Sequence, residues 1–134
     1  MMTMAELLAK CPKIIETRNK FGILIKSDVI LHSLDILLYR LSIVRHFYGK
    51  SMIVNSGYRD PEYNQKVGGA KWSNHQYGLA VDIADPERKL WDWINVNMVL
   101  MEELGFWFES KTATPTWVHF QIVPPISGVR IFDP

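Results

Sequence analysis

The sequence predicts an α+β fold, a small antiparallel sheet packed against two main helices. Three observations carry that prediction. After Ser27, Ile30, Leu34, Leu37, Leu38, Leu41 and Val44 recur at spacings of three and four, the period of a helix with one apolar face. Trp91, Ile94, Met98, Met101 and Leu104 repeat the pattern within residues 87–104. Short β-prone runs at 51–55, 79–83, 106–108 and 117–123 lie between and after the two helices, and the second and last of them alternate apolar and polar or small residues.

Composition sets the outer bounds. A chain of 134 residues with 48% hydrophobic residues is long enough to bury a sizeable core, and one domain spanning residues 1–134 is expected. A net charge of +1 without any Lys/Arg cluster excludes a polybasic nucleic-acid arm and gives no support to phosphate binding. The single cysteine, Cys11, cannot form an internal disulfide, and with no histidine nearby in sequence it has no case as a nucleophile. The first ten residues, MMTMAELLAK, lack the basic segment and long apolar segment of a secretory signal, so synthesis and first residence in the cytoplasm are expected. No apolar run reaches the length of a membrane span.

In chain order, residues 4–10 form a short amphipathic helix that Pro12 would end. Residues 13–26 are mixed, with Phe21–Ile25 a short strand or turn. Ser27 offers an N-cap, Asp28 places negative charge in the first helical turn, and Gly49 stops the helix. Ile53 and Val54 mark an extended segment. Asp60-Pro61 and Gly68-Gly69 are turn chemistry, so residues 56–74 are expected to be a long ordered loop, a kind more often functional than idle. Asp85-Pro86 closes the next strand and opens the second helix, which Gly105 ends. A Ser/Thr/Pro-rich hairpin, SKTATPT, joins the last two strands, Pro124-Pro125 stops the final one, and residues 126–134 read as a peripheral tail.

The chemistry concentrates in Ser73-x-His75-x-x-Gly78-x-Ala80-x-Asp82. On a strand over 79–83, Val81 and Ile83 face the core, while Gly78, Ala80 and Asp82 share a face cleared of bulk, open to an ion and a substrate. In Trp117–Val123, alternation separates Val118, Phe120 and Ile122 from Trp117, His119 and Gln121. Two such strands side by side would bring Asp82 to His119, with His75 reaching in from the loop. Two imidazoles and one carboxylate suit zinc, and three protein ligands leave a position for water, as in catalytic sites. His32 and His46 fall in the first long helix, away from this motif in sequence, and are not taken as ligands.

The ordered set Ser56-Gly57-Tyr58-Arg59, Asn64, Val67-Gly68-Gly69, Ser73-x-His75, Gly78-x-Ala80-x-Asp82 and Trp117-Val118-His119 resembles the zinc D-Ala-D-Ala carboxypeptidase family. That family includes the vancomycin-resistance dipeptidases and phage cell-wall peptidases, and shares its fold with the hedgehog signalling domain. The likeness runs from about residue 28 to residue 123. It implies a hedgehog/DD-peptidase-like fold, zinc as cofactor and peptidoglycan peptides as substrate. It implies cleavage of D-Ala-D-Ala or of an L-Ala-D-Glu-type bond. The small size and absent export signal resemble a phage or prophage endolysin delivered to the wall through a holin or on a virion.

The resemblance also assigns roles. Arg59 is placed beside the zinc, where its planar fork suits a substrate carboxylate or a developing oxyanion. Ser73 and Tyr77 are candidate substrate contacts, Trp72 a candidate cleft residue, and Tyr58 and Asn64 braces of the loop. The vancomycin-resistance dipeptidases carry a catalytic glutamate three residues before the last histidine, where this chain has Thr116. In phage-type relatives the glutamate ends the preceding strand, and Glu109 in Phe108-Glu109-Ser110 resembles that position. Gln121 stands where relatives carry Ser or Asp. The competing reading, carried by Thr116, is a zinc-binding module without catalysis that serves as a binding or virion-structural part.

Overall fold

The longest apolar stripe in the sequence becomes the floor of the fold. In the computed structural model, which describes residues 2–134, helix α2 (Ser27–Tyr48) buries Ile30, Leu34, Leu37, Leu41 and Val44 completely. The helix begins one residue earlier than expected: Lys26 is the capping position, and Ser27 lies inside the first turn. Against α2 sits a five-stranded sheet of β3 (Val54–Ser56), β4 (Ala80–Ala84), β5 (Trp107–Glu109), β6 (Trp117–Gln121) and β7 (Ile131–Phe132), in the order β3-β4-β6-β5-β7. A separate two-stranded ribbon pairs β1 (Thr17–Arg18) with β2 (Leu24–Ile25). The α+β class is borne out.

The inner face of the sheet is apolar because alternation selects it. Val81 and Ile83 of β4 and Val118 and Phe120 of β6 are fully buried. Phe108 lies directly across from Phe120, with ring centroids 5.0 Å apart, and Phe106 closes the cluster at 5.1 Å from Phe120. Tilted and edge-on aromatic pairs of this kind add about 1 kcal/mol each beyond area burial.

Four local expectations need correction. The 56–74 segment is not a continuous loop: Pro61–Lys66 form helix α3, whose first turn Asp60 caps by accepting from Tyr63 N at 2.7 Å. Asp-Pro opens a helix as readily as it makes a turn. The second long helix is two, α4 (Lys89–Val96) and α5 (Met98–Glu103). Asn97 breaks it, leaving helical geometry while its side-chain amide donates to Trp93 O at 2.8 Å, the local competition expected of this residue type. Its start is also delayed, because the Asp85 carboxylate accepts from Leu90 N and Trp91 N.

The tail is not merely peripheral. Ile131–Phe132 add a strand parallel to β5, so the sheet is mixed rather than wholly antiparallel, and Arg130 lies over the Trp107 ring at 4.3 Å. Gly78 is not part of a face cleared for a ligand either. It follows the short 3-10 helix Asn74–Tyr77 at φ 71°, and a Cβ there would meet Ile30 O at 2.7 Å and Leu34 Cγ at 2.8 Å. Its smallness lets this turn lie on α2.

Helix α1 (Met4–Leu7) is tied to the site-bearing corner by backbone. Tyr58 N donates to Leu7 O at 2.9 Å, and Ile15 N donates to the Tyr58 hydroxyl at 2.9 Å. Gly57 lies so close that an added Cβ would overlap the Leu7 carbonyl oxygen and stand 2.8 Å from Leu7 Cα. Both obstacles are backbone and cannot rotate away. Gly57→Ala is therefore expected to lower stability by about 2 kcal/mol, within the cost of overpacking, and to expose residues 2–15 to protease. Thermal unfolding with limited proteolysis checks it, and a wild-type melting temperature would contradict the packing described.

Candidate metal centre

Strand pairing sets the first two members of the site opposite each other. Asp82 on β4 is registered against His119 on β6, and both project to the face away from the apolar core. His119 Nδ1 lies 2.9 Å from Asp82 Oδ1. His75 arrives from the 3-10 helix between α3 and β4, and its Nε2 is 3.3 Å from Asp82 Oδ2. The other nitrogen, His75 Nδ1, donates to Gly57 O at 2.8 Å, which fixes the ring and its tautomer. All three side chains are buried, and one potential ligand atom from each lies within 4.8 Å of the others.

This donor set fits a divalent cation. Ligand atoms bound tetrahedrally at about 2.0–2.1 Å from zinc stand roughly 3.3 Å apart. The separation of His75 Nε2 from Asp82 Oδ2 is 3.3 Å. Among the described residues this trio is the one group of His, Cys, Asp and Glu side chains so disposed. His32 and His46 lie on α2 and take no part.

Charge in the site is balanced around Asp82. Burial alone would push its carboxyl up, but the charges and hydrogen bonds of His75 and His119 hold it well below the usual carboxylate range. Burial works against a charged His119, yet the hydrogen bond and charge of Asp82, with Glu109 behind them, raise its pKa. Arg59 completes the balance. Its Nη2 donates to Asp82 Oδ2 at 3.3 Å, its Nε to Ser56 Oγ at 2.8 Å, and its Nη1 to Asn64 Oδ1 at 3.3 Å. The fork is thus anchored to protein at all three nitrogens. It has five N–H bonds, so two make no hydrogen bond among the described residues.

Glu109 ends β5 on the flank of the trio, with Oε2 3.9 Å from His119 Nδ1 and a side chain 19% exposed. Among the described residues its carboxylate accepts no hydrogen bond. Thr116 is exposed, and its carbonyl accepts from Asp85 N. Ser73 caps the 3-10 helix by accepting from His75 N at 3.3 Å, which leaves its hydroxyl proton to donate. Tyr77 is turned towards the β1–β2 ribbon: its hydroxyl donates to Arg18 O at 3.4 Å, and its ring lines an apolar cleft of about 400 Å³ with Trp72 and Phe21. Tyr58 and Asn64 brace the corner, the latter also donating to Ala70 O at 2.9 Å.

Two contributors escaped sequence reasoning. The Gly57 carbonyl, which orients His75, is backbone and has no signature. Ser56, which holds Arg59 Nε, is registered beside Asp82 at the sheet edge, and its place in β3 was the available signal.

A sequence model described as Peptidase M15 matches residues 2–119 of the chain. No curated protein matches it. The matched span begins well before residue 28, in keeping with the backbone tie between Leu7 and the Tyr58 corner.

Proposed function

The chain belongs to the Peptidase M15 family, and from that premise we propose that it is a zinc-dependent hydrolase of peptidoglycan peptides, cutting D-Ala-D-Ala or an L-Ala-D-Glu-type bond. The observation that carries this reading is the convergence of His75, Asp82 and His119, with Glu109, a carboxylate that accepts no hydrogen bond among the described residues, on one flank and a guanidinium, Arg59, on the other. His75 Nε2, an Asp82 oxygen and His119 Nδ1 would hold the cation. A bound divalent ion supplies Lewis acidity at the scissile carbonyl and lowers the pKa of the attacking water.

The chain's own groups do the rest. Glu109 takes the proton from the attacking water and delivers it to the leaving amine. Arg59 keeps Asp82 in place and offers its two remaining N–H bonds to a substrate carboxylate or to charge developing on the carbonyl oxygen. A cleft of about 480 Å³ runs past Asn64 and Gly69, which pack around Arg59, and on past Lys71 and Gln76, and an extended peptide would lie along it. Ser73 would contact that peptide through its hydroxyl, and Tyr77 would meet it where it extends into the neighbouring apolar cleft. Delivery is that of a phage or prophage endolysin, through a holin or on a virion. No helix among the described residues is long and apolar enough to cross a membrane.

The alternative, a zinc module without catalysis, draws on the exposed Thr116 at one of the two positions where relatives carry the glutamate. One experiment separates the two. Incubation with purified peptidoglycan or acyl-D-Ala-D-Ala should release amine, lose at least about 100-fold in rate with chelator, a scale set by the loss of water activation, and recover with added zinc. Zinc-dependent binding without release would establish the inert module instead.

A further inference from the structure

The two histidines of the trio present different ring nitrogens to Asp82, and a different acceptor stands behind each. Behind His75 it is the Gly57 carbonyl. Behind His119 it is Gln121, whose Oε1 lies 2.8 Å from His119 Nε2. Gln121 sits two residues along β6, on the same face of the strand, and is buried at 4% exposure. Its Nε2 donates to Val123 O at 2.8 Å. That second bond removes the ambiguity of an amide. Turning it over would set its oxygen against the Val123 carbonyl oxygen and its NH2 against His119, so only one orientation satisfies both partners. Room for the long side chain exists because its neighbour across the sheet on β4 is Ala80.

We propose that Gln121 is a positioning residue that selects Nδ1 of His119 as the metal-facing atom. Gln121 presents an acceptor to Nε2, so Nε2 keeps its proton and the lone pair available to a cation lies on Nδ1, the nitrogen already 2.9 Å from Asp82. Without that acceptor the ring loses both its tautomer preference and its rotational restraint. The wrong tautomer would then place an N–H, rather than a lone pair, against the cation. Partners that orient metal-bound histidines in this way are worth about 10–100-fold in affinity. The small residue at Ala80 thereby acquires a use other than substrate access.

This inference rests on the metal reading above, and its test separates the two. Zinc affinity is measured by competition with a chromophoric chelator for the unaltered chain, Gln121→Leu and Gln121→Glu, with thermal unfolding of each in chelator. Long-range 1H–15N spectra of the zinc-loaded unaltered chain report which His119 nitrogen carries the proton. The expected result is a proton on Nε2, a loss of about 10–100-fold in zinc affinity for Gln121→Leu, and recovery of most of it in Gln121→Glu, which keeps the acceptor oxygen. No zinc binding by the unaltered chain overturns both readings. Zinc binding with the proton on Nδ1 of His119, or undiminished affinity in Gln121→Leu, overturns this one alone. Equal losses in the two variants also overturn it, because packing rather than the acceptor would then be the cause. The spectrum needs no variant, so a misfolded substitution leaves the inference open to refutation.

Discussion

Glu109→Gln is expected to bind zinc as the unaltered chain does and to lose about 10²–10⁴-fold in kcat, the range for removing a positioned general base. The geometry separates the two functions. Glu109 Oε2 stands 3.9 Å from His119 Nδ1, outside the ring of closest contacts among His75, Asp82 and His119. Its position at the end of β5 is held by the backbone, through pairing with Phe132, and not by its side chain. An amide of the same shape can neither take a proton near neutral pH nor disturb that pairing. Zinc content of the purified variant and turnover of acyl-D-Ala-D-Ala check the two halves separately. Loss of zinc would make Glu109 a ligand, and unimpaired turnover would remove it from the mechanism.

Legibility in the sequence followed the length and regularity of each signal. Six apolar positions at helical spacing identified α2, and alternation in 79–83 and 117–123 correctly divided Val81, Ile83, Val118 and Phe120 from Asp82 and His119. The pairing of Asp82 with His119 then followed from two strands lying side by side. Where one residue type serves two purposes, the sequence was silent on which applied. A glycine gives room to a ligand or to another backbone, and Gly78 gives it to α2. Asp60-Pro61 opens a turn or a helix, and here opens α3. Two-residue β7 is too short to show alternation. Contacts in which one partner is a backbone group left no trace, which is why the docking of residues 4–15 on Tyr58 and the Gly57–His75 bond emerged only in three dimensions.

Replacing Asp82 is expected to have the widest consequences, because three groups depend on its carboxylate. Asp82→Asn removes the anionic member of the trio, and its zinc affinity should fall further than the 10–100-fold that follows loss of an orienting partner. It also strips the opposing charge from Arg59, whose side chain is only 14% exposed. Breaking a buried pair by removing one partner costs about 3–5 kcal/mol. Arg59 keeps its bonds to Ser56 and Asn64, so the low end of that range applies. The pH dependence has a defined sign. In the metal-free protein the depressed Asp82 carboxyl stabilises the fold above the unfolded carboxylate range, near pH 4, and that contribution disappears on further acidification. The raised His119 contributes fully below the unfolded imidazole range, near pH 6.5, and loses its share as pH rises through its folded value. The advantage of the unaltered chain over Asp82→Asn in chelator should therefore be widest between about pH 4 and 6.5. It should narrow towards acid, and narrow less towards alkali, where the Arg59 pair survives. Thermal unfolding of both chains at pH 3, 5.5 and 8 measures it; a gap that does not change with pH would mean that the carboxylate is not the keystone of these charges.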